Sequence, residues 1–173
     1  MSQPKISGRI VIAAFGHLND PHIVREPTRT VTLWVCLSNS RDIPVGIVDY
    51  KLDVYIDGSW RQMAALYQKI ENFQLEFEEP SSFGPNKKLV FPTDNSFLMH
   101  EITVPITRTA PRGGLLVFLS PISELKGNIE ILRLTIFDGY GGKHVIEQVA
   151  TQIHDPSVLL RLVPDLRIEE ITK

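Results

Sequence analysis

The chain has 173 residues, 43% of them hydrophobic and 22% charged, the balance of a folded globular protein and not of a disordered one. That length suits one domain able to bury a sizeable core. A formal net charge of −2 gives no long-range pull toward nucleic acid, and the basic residues are scattered, with Lys87-Lys88 the only adjacent pair, so no nucleic-acid partner is expected.

No apolar run approaches the ~18 residues needed to cross a bilayer. The start, Met1-Ser2-Gln3-Pro4-Lys5, lacks the apolar segment of a signal peptide. The expectation is no direct membrane insertion, and a cytoplasmic location or the soluble portion of a membrane-anchored protein. The single Cys36 excludes an intramolecular disulfide; in an alternating strand it reads as a small buried hydrophobe in a reducing compartment.

The elements follow a period of two. A first strand is predicted over Ile6 to Phe15, and a second over Thr28 to Leu37, partly apolar on both faces and so central. The polar segment Gly16 to Pro27 joins them. After Ser38-Asn39-Ser40-Arg41-Asp42 and Pro44 the chain enters its clearest strand: Val48, Tyr50, Leu52, Val54 and Ile56 alternate with Asp49, Lys51, Asp53, Tyr55 and Asp57 before Gly58. One face of that strand must meet a core while the other carries charge into water. Asp57-Gly58 is a hairpin turn, and Ser59 to Met63 is the returning arm.

From 63 to 71, Met63, Leu66, Tyr67 and Ile70 fit a helical face, so a short helix or an irregular edge is predicted. Alternation resumes with Phe73, Leu75 and Phe77. Glu79 to Ser96, rich in Pro, Ser, Gly and Asn, is the longest irregular region, broken only by Lys88 to Phe91. Ile102, Val104 and Ile106 form the inward set of a further strand, with Pro105 marking an edge or bulge. Ala110 to Gly114 is a loop into the fully apolar Leu115 to Leu119, a buried strand. Ile129 to Phe137, the turn Asp138-Gly139-Tyr140-Gly141-Gly142, and His144 to Thr151 make a hairpin. Asp155 and Pro156 start a short helix that ends before Pro164.

Eight or nine strands without a repeated βαβ pattern predict an all-β fold. At this size, an antiparallel two-sheet sandwich of immunoglobulin-like topology with one or two short helices is the expected solution. It would be a single domain over 1–173 whose segment 155–173 docks on it. The run from Thr30 through Trp60, with Leu37-Ser38-Asn39, Pro44 and Asp49-Tyr50-Lys51-Leu52, resembles uncharacterised bacterial immunoglobulin-like β-sandwich domains. The Phe137 to Gly141 turn followed by His144 adds to the likeness. The resemblance implies a bacterial module, in some members attached to a membrane helix, and implies no activity.

Sites are sparse. Of His17, His22, His100, His144 and His154, only His17, Asp20 and His22 are close in sequence. A polar surface loop accounts for that spacing better than a metal does, so no metal and no cofactor is expected. His144 reads as a solvated strand residue. No Gly-x-Ser-x-Gly elbow exists, and Cys36 lacks a nucleophile's signature. Gly113-Gly114 and Gly139 with Gly141-Gly142 read as turn glycines and not as anion nests.

Two sets remain as candidate binding residues. Asp49, Asp53, Glu76 and Glu78 on the outward faces of two strands would form an acidic face if those strands were neighbours. Trp60, Phe83, Phe91 and Tyr140 are aromatics at or near loops, able to stack on sugars or anchor a protein. The expected function is a non-catalytic interaction or accessory module of a larger bacterial assembly, with a protein partner and with homo-oligomerisation left open. A carbohydrate-binding module is second, and a small hydrolase third.

Overall fold

The computed structural model describes residues 5–68, 70–78, 83–92, 97–101, 104–150 and 156–172. It is mostly antiparallel β-structure. The strands are β1 (Ile6–Leu18), β2 (Thr28–Asn39), β3 (Ile47–Ile56), β4 (Ser59–Ala65), β5 (Gln74–Phe77), β6 (Lys87–Val90), β7 (Arg112–Pro121), β8 (Ile129–Asp138), β9 (Lys143–Val149) and β10 (Arg167–Glu170). Short 3-10 turns span Leu98–Glu101 and Pro156–Val158, and a single helical turn, α1, spans Leu159–Leu162.

The hydrogen-bond ladder is one ten-stranded sheet in the order β10-β6-β5-β1-β2-β7-β4-β3-β8-β9, where two sheets were expected. Strand β4 makes it continuous. Its residues Ser59 to Met63 pair with β3, and Ala64 and Ala65 then pair with Leu119 and Phe118 of β7. The sheet curls strongly along this path. Val31, Leu33, Val35 and Leu37 of β2 share one apolar cluster with Leu52 and Val54 of β3 and with Leu132, Leu134 and Ile136 of β8. At the far end of the curl, β9 lies over β1, so close that a Cβ on Gly8 would sit 2.9 Å from Cδ1 of Ile146.

A second cluster covers the opposite face of β1, β2 and β7. It joins Ile12, Ala14, Leu115 and Val117 to Phe73, Phe91 and Phe97 and to Leu159, Val163 and Leu166 of the C-terminal segment. Strand β7 is thus buried on both faces, Leu116 and Phe118 facing one cluster and Leu115 and Val117 the other, which is why its sequence is apolar without alternation.

Several expected boundaries move, each for a local reason. In β1 the register slips between Ile10 and Ile12; this bulge turns Ile10 toward the first cluster and Ile12 toward the second. A second slip, between Ile47 and Asp49, swings Val48 outward, 54% exposed, against its expected place in the inward set. Residues 63–65 continue β4 instead of forming a helix, because β7 supplies backbone partners, including the Val117 carbonyl for the Leu66 N–H.

Strand β7 begins at Arg112, not Leu115, since residues 112–114 pair with Leu37, Cys36 and Val35. Gly113 lies against the Trp34 ring, where a Cβ would come within 3.3 Å of it. No named strand covers 104–106. Val104 is 42% exposed, and Ile106 is buried through an isolated bridge to Val45. Ile102, residues 79–82, 93–96 and 151–155, and with them His154 and Asp155, lie outside the described residues. Strand β10, unexpected from the sequence, pairs with β6 from Arg167 opposite Val90 to Glu170 opposite Lys87.

Candidate functional site: the outer face of β4, β3, β8 and β9

Because Leu52 and Val54 point into the first cluster, Asp49, Lys51, Asp53 and Tyr55 point out. The register then lays down rows across four strands. Trp60, Tyr55, Ile131 and Val149 form one row; Gln62, Asp53, Arg133 and Glu147 form the next; Lys51, Thr135 and Val145 form the third.

The first two rows are locked together by Arg133. Its guanidinium carbon lies 3.8 Å from the centre of the Trp60 ring, and its Nε is 3.1 Å from Glu147 Oε2. The Tyr55 and Trp60 rings meet edge to face, with centres 5.2 Å apart and planes at 61°. Lys51 Nζ stands 3.5 Å from Asp53 Oδ2. At the margin, the Tyr67 hydroxyl donates to Asp49 Oδ1 at 2.8 Å. Burial, then that hydrogen bond and the negative charge of Asp49, push the hydroxyl above the ordinary phenol range, so it remains a donor. Exposed apolar atoms complete the face at Val145, 58% exposed, and Val149, 42% exposed.

Trp60, Asp49 and Asp53 therefore belong together. The other candidates do not join them. Glu76 and Glu78 lie on and just after β5, with β1, β2, β7 and β4 between it and β3, so no single acidic face forms. Glu76 accepts from Asn19 Nδ2 at 3.0 Å. Glu78 Oε1 is 2.9 Å from Nε of the buried Arg29 and 3.7 Å from His17 Nε2. Arg29 also donates through Nη1 to the Gly127 carbonyl at 2.6 Å, which ties β2 to the turn before β8, and Arg29 and Glu78 together line a surface cleft of about 490 Å³ with Phe15, Ile129 and Val149.

Phe91 is only 3% exposed and packs on Phe73 and Phe97, with ring centres 5.2 and 5.8 Å away; it is a core residue, not a loop tip. Phe83 is half-buried with its ring 5.2 Å from Phe77. Tyr140 is 63% exposed, at the tip of the β8–β9 hairpin, its hydroxyl donating to the Pro44 carbonyl at 3.3 Å.

Sequence reasoning missed Arg133 and misread His144. The alternation of β8 was enough to set Arg133 outward beside Ile131 and Thr135, but the Trp60 contact needs the register of β4, β3 and β8 together. His144 is not solvated. Its Nε2 lies 2.6 Å from Oδ2 of Asp138, which is 3% exposed. Asp138 Oδ1 also accepts from the backbone N–H groups of Tyr140 and Gly142 at 2.8 and 2.9 Å. Burial works against the carboxylate, yet the His144 hydrogen bond and the two backbone donors outweigh it and hold Asp138 below the ordinary carboxylate range. A carboxylate six residues before a histidine across a glycine turn was the available signal.

Among the described residues no group of three His, Cys, Asp or Glu side chains is placed to hold a metal, and no helix is long and apolar enough to cross a membrane. No family model matches the chain, and no curated protein and no solved structure matches it.

Proposed function

We propose that this protein is a non-catalytic interaction module, an accessory part of a larger bacterial assembly, and that it binds a protein partner through the outer face of β4, β3, β8 and β9. The observation that carries the reading is the Trp60–Arg133–Tyr55 cluster, with its rim of Lys51, Asp53 and Glu147 ion pairs. Trp, Tyr and Arg are the side chains that concentrate binding energy at protein interfaces, and a charged rim around them supplies register and specificity. The two-layer, immunoglobulin-like arrangement belongs to the same proposal. It is supported by the apolar cluster shared between β2 on one side and β3 and β8 on the other, and it would hold this face rigid.

The cluster is less suited to sugar. Stacking on a pyranose needs an open, flat ring, whereas one face of Trp60 carries the Arg133 guanidinium and its neighbour Tyr55 stands at 61° to it. A hydrolase needs a nucleophile hydrogen-bonded to its base. Among the described residues neither His17 nor His144 is bonded to a hydroxyl or thiol; both face carboxylates.

The test is site-directed cross-linking. A photoreactive residue at Gln62, inside the polar row, should capture a protein from the native cell, and Trp60→Ala or Arg133→Ala in the same chain should abolish the product while leaving the melting temperature within a few degrees. Equal capture from a photoreactive residue at Lys88, on the opposite side of the sheet order, would overturn the assignment of the face.

A further inference from the structure

Strand β9 ends the sheet. Among the described residues nothing pairs with its second edge, and its pairing with β8 runs from Ile131–Val149 to Phe137–Lys143 without a slip. The edge is seven residues long, unbulged and free of proline, so only its charged residues, Lys143 and Glu147, select which strands can pair with it.

The backbone groups of β9 alternate between its two edges. The Asp138 N–H donates to the Gly142 carbonyl, which makes that pair a hydrogen-bonded one. Alternation along an antiparallel ladder then turns the backbone groups of His144, Ile146 and Gln148 toward β8. Those of Lys143, Val145, Glu147 and Val149 point to the open edge. The same four residues have exposed side chains on the outer face, among them Val145 at 58% and Val149 at 42% exposure.

We infer that β9 pairs antiparallel with β9 of a second copy of this chain about a two-fold axis at Val145, joining the two outer faces into one sheet. Charge selects this register. With Val145 opposite itself, Lys143 of each copy faces Glu147 of the other, and both fall at hydrogen-bonding positions. An axis at Glu147 or at Lys143 would place a like-charged pair on the axis. An axis at His144 or Ile146 would leave both charges opposite non-complementary residues. Only the Val145 register pairs opposite charges across the seam while covering the most exposed valine of the strand. Glu147, already 3.1 Å from Arg133, would then lie between two cations, and Val149 would face the glycine turn of the second copy at Gly141. The inference goes beyond the outer-face reading and uses the strand edge, so its failure leaves the Gln62 cross-link test standing.

Sedimentation velocity of the full chain over a wide concentration range is the measurement. The native chain should show a reversible monomer–dimer equilibrium. Val145→Pro, which removes one outward N–H at a position where an edge strand tolerates proline, should remove the dimer while the thermal transition is retained. Lys143→Glu and Glu147→Lys should each be monomeric, because each places like charges across the axis twice. Mixing these two variants should restore a dimer, since every opposed pair is again of opposite sign. A native chain that stays monomeric at all concentrations overturns the inference, and so do charge variants that dimerise as the native chain does. If Val145→Pro fails to fold, the mixing experiment alone decides.

Discussion

The two apolar clusters are built on opposite principles. The first, between β2 and the β3–β8 pair, is largely aliphatic and comes mostly from strand residues at alternate positions. The second, on the other face of β1 and β7, takes its bulk from Phe73, Phe91 and Phe97 and from Leu159, Val163 and Leu166, all of which lie outside the strands. A sheet can bury one face by curling on itself. Its other face has to be covered by whatever chain is left over, and large aromatics do that with few residues.

If the two clusters are one cooperative unit, disturbing either should lower global stability. Phe91→Ala, at a position 3% exposed, should cost about 3 to 5 kcal/mol, read as a lower urea midpoint. A separate early transition, with the main midpoint unchanged, would show that the second cluster melts on its own. Leu52→Ala, at a fully buried position of the first cluster, should cost about 2 to 5 kcal/mol in one transition. A parental midpoint would refute the inward placement of Leu52.

The hairpin carboxylate gives a test by pH. Asp138 is held below the ordinary carboxylate range, so its contribution is fully present above that range and lost as pH falls through its folded value. The melting temperature of the native chain should therefore exceed that of Asp138→Asn at neutral pH, and the gap should close only on strong acidification. A gap independent of pH would mean that the charge of Asp138 contributes nothing.

The smallest effect lies on the second-cluster face of β2, where Thr30 and Thr32 sit beside Ala14, Leu75 and Leu89. The hydroxyls of Thr30 and Thr32 are buried and meet no hydrogen-bond partner among the described residues. Thr32→Val should accordingly raise stability by about 1 kcal/mol, seen as a small upward shift of the urea midpoint; a loss of that size would mean the hydroxyl is satisfied.

This contrast also explains what could be read from the chain beforehand. Leu52, Val54, Leu132 and Leu134 were legible because strand period directly encodes a buried face. The bulges after Ile10 and Ile47 were not, since a one-residue slip leaves composition unchanged and shows only when a partner strand fixes the register. Phe91 looked like a loop aromatic because its loop is irregular, yet irregular chain is what covers the second face. Strand β10 escaped because Arg167 to Glu170 gains its pairing from β6, not from its own polar sequence. On the candidate site, Trp60, Asp49 and Asp53 were legible as outward residues. The Arg133 stack and the Asp138–His144 pair needed cross-strand neighbours that only the fold supplies.

The change of partner along β4 has a consequence for how this molecule comes apart. A strand bonded first to β3 and then to β7 is a rivet through both halves of the curl. Neither half can unzip without releasing it, and its pairing with β7 spans more than fifty residues of chain, which makes closure a late event in folding. Amide exchange along residues 63–66 should accordingly be as slow as global unfolding, so that this short, unassuming segment acts as the clock of the whole domain.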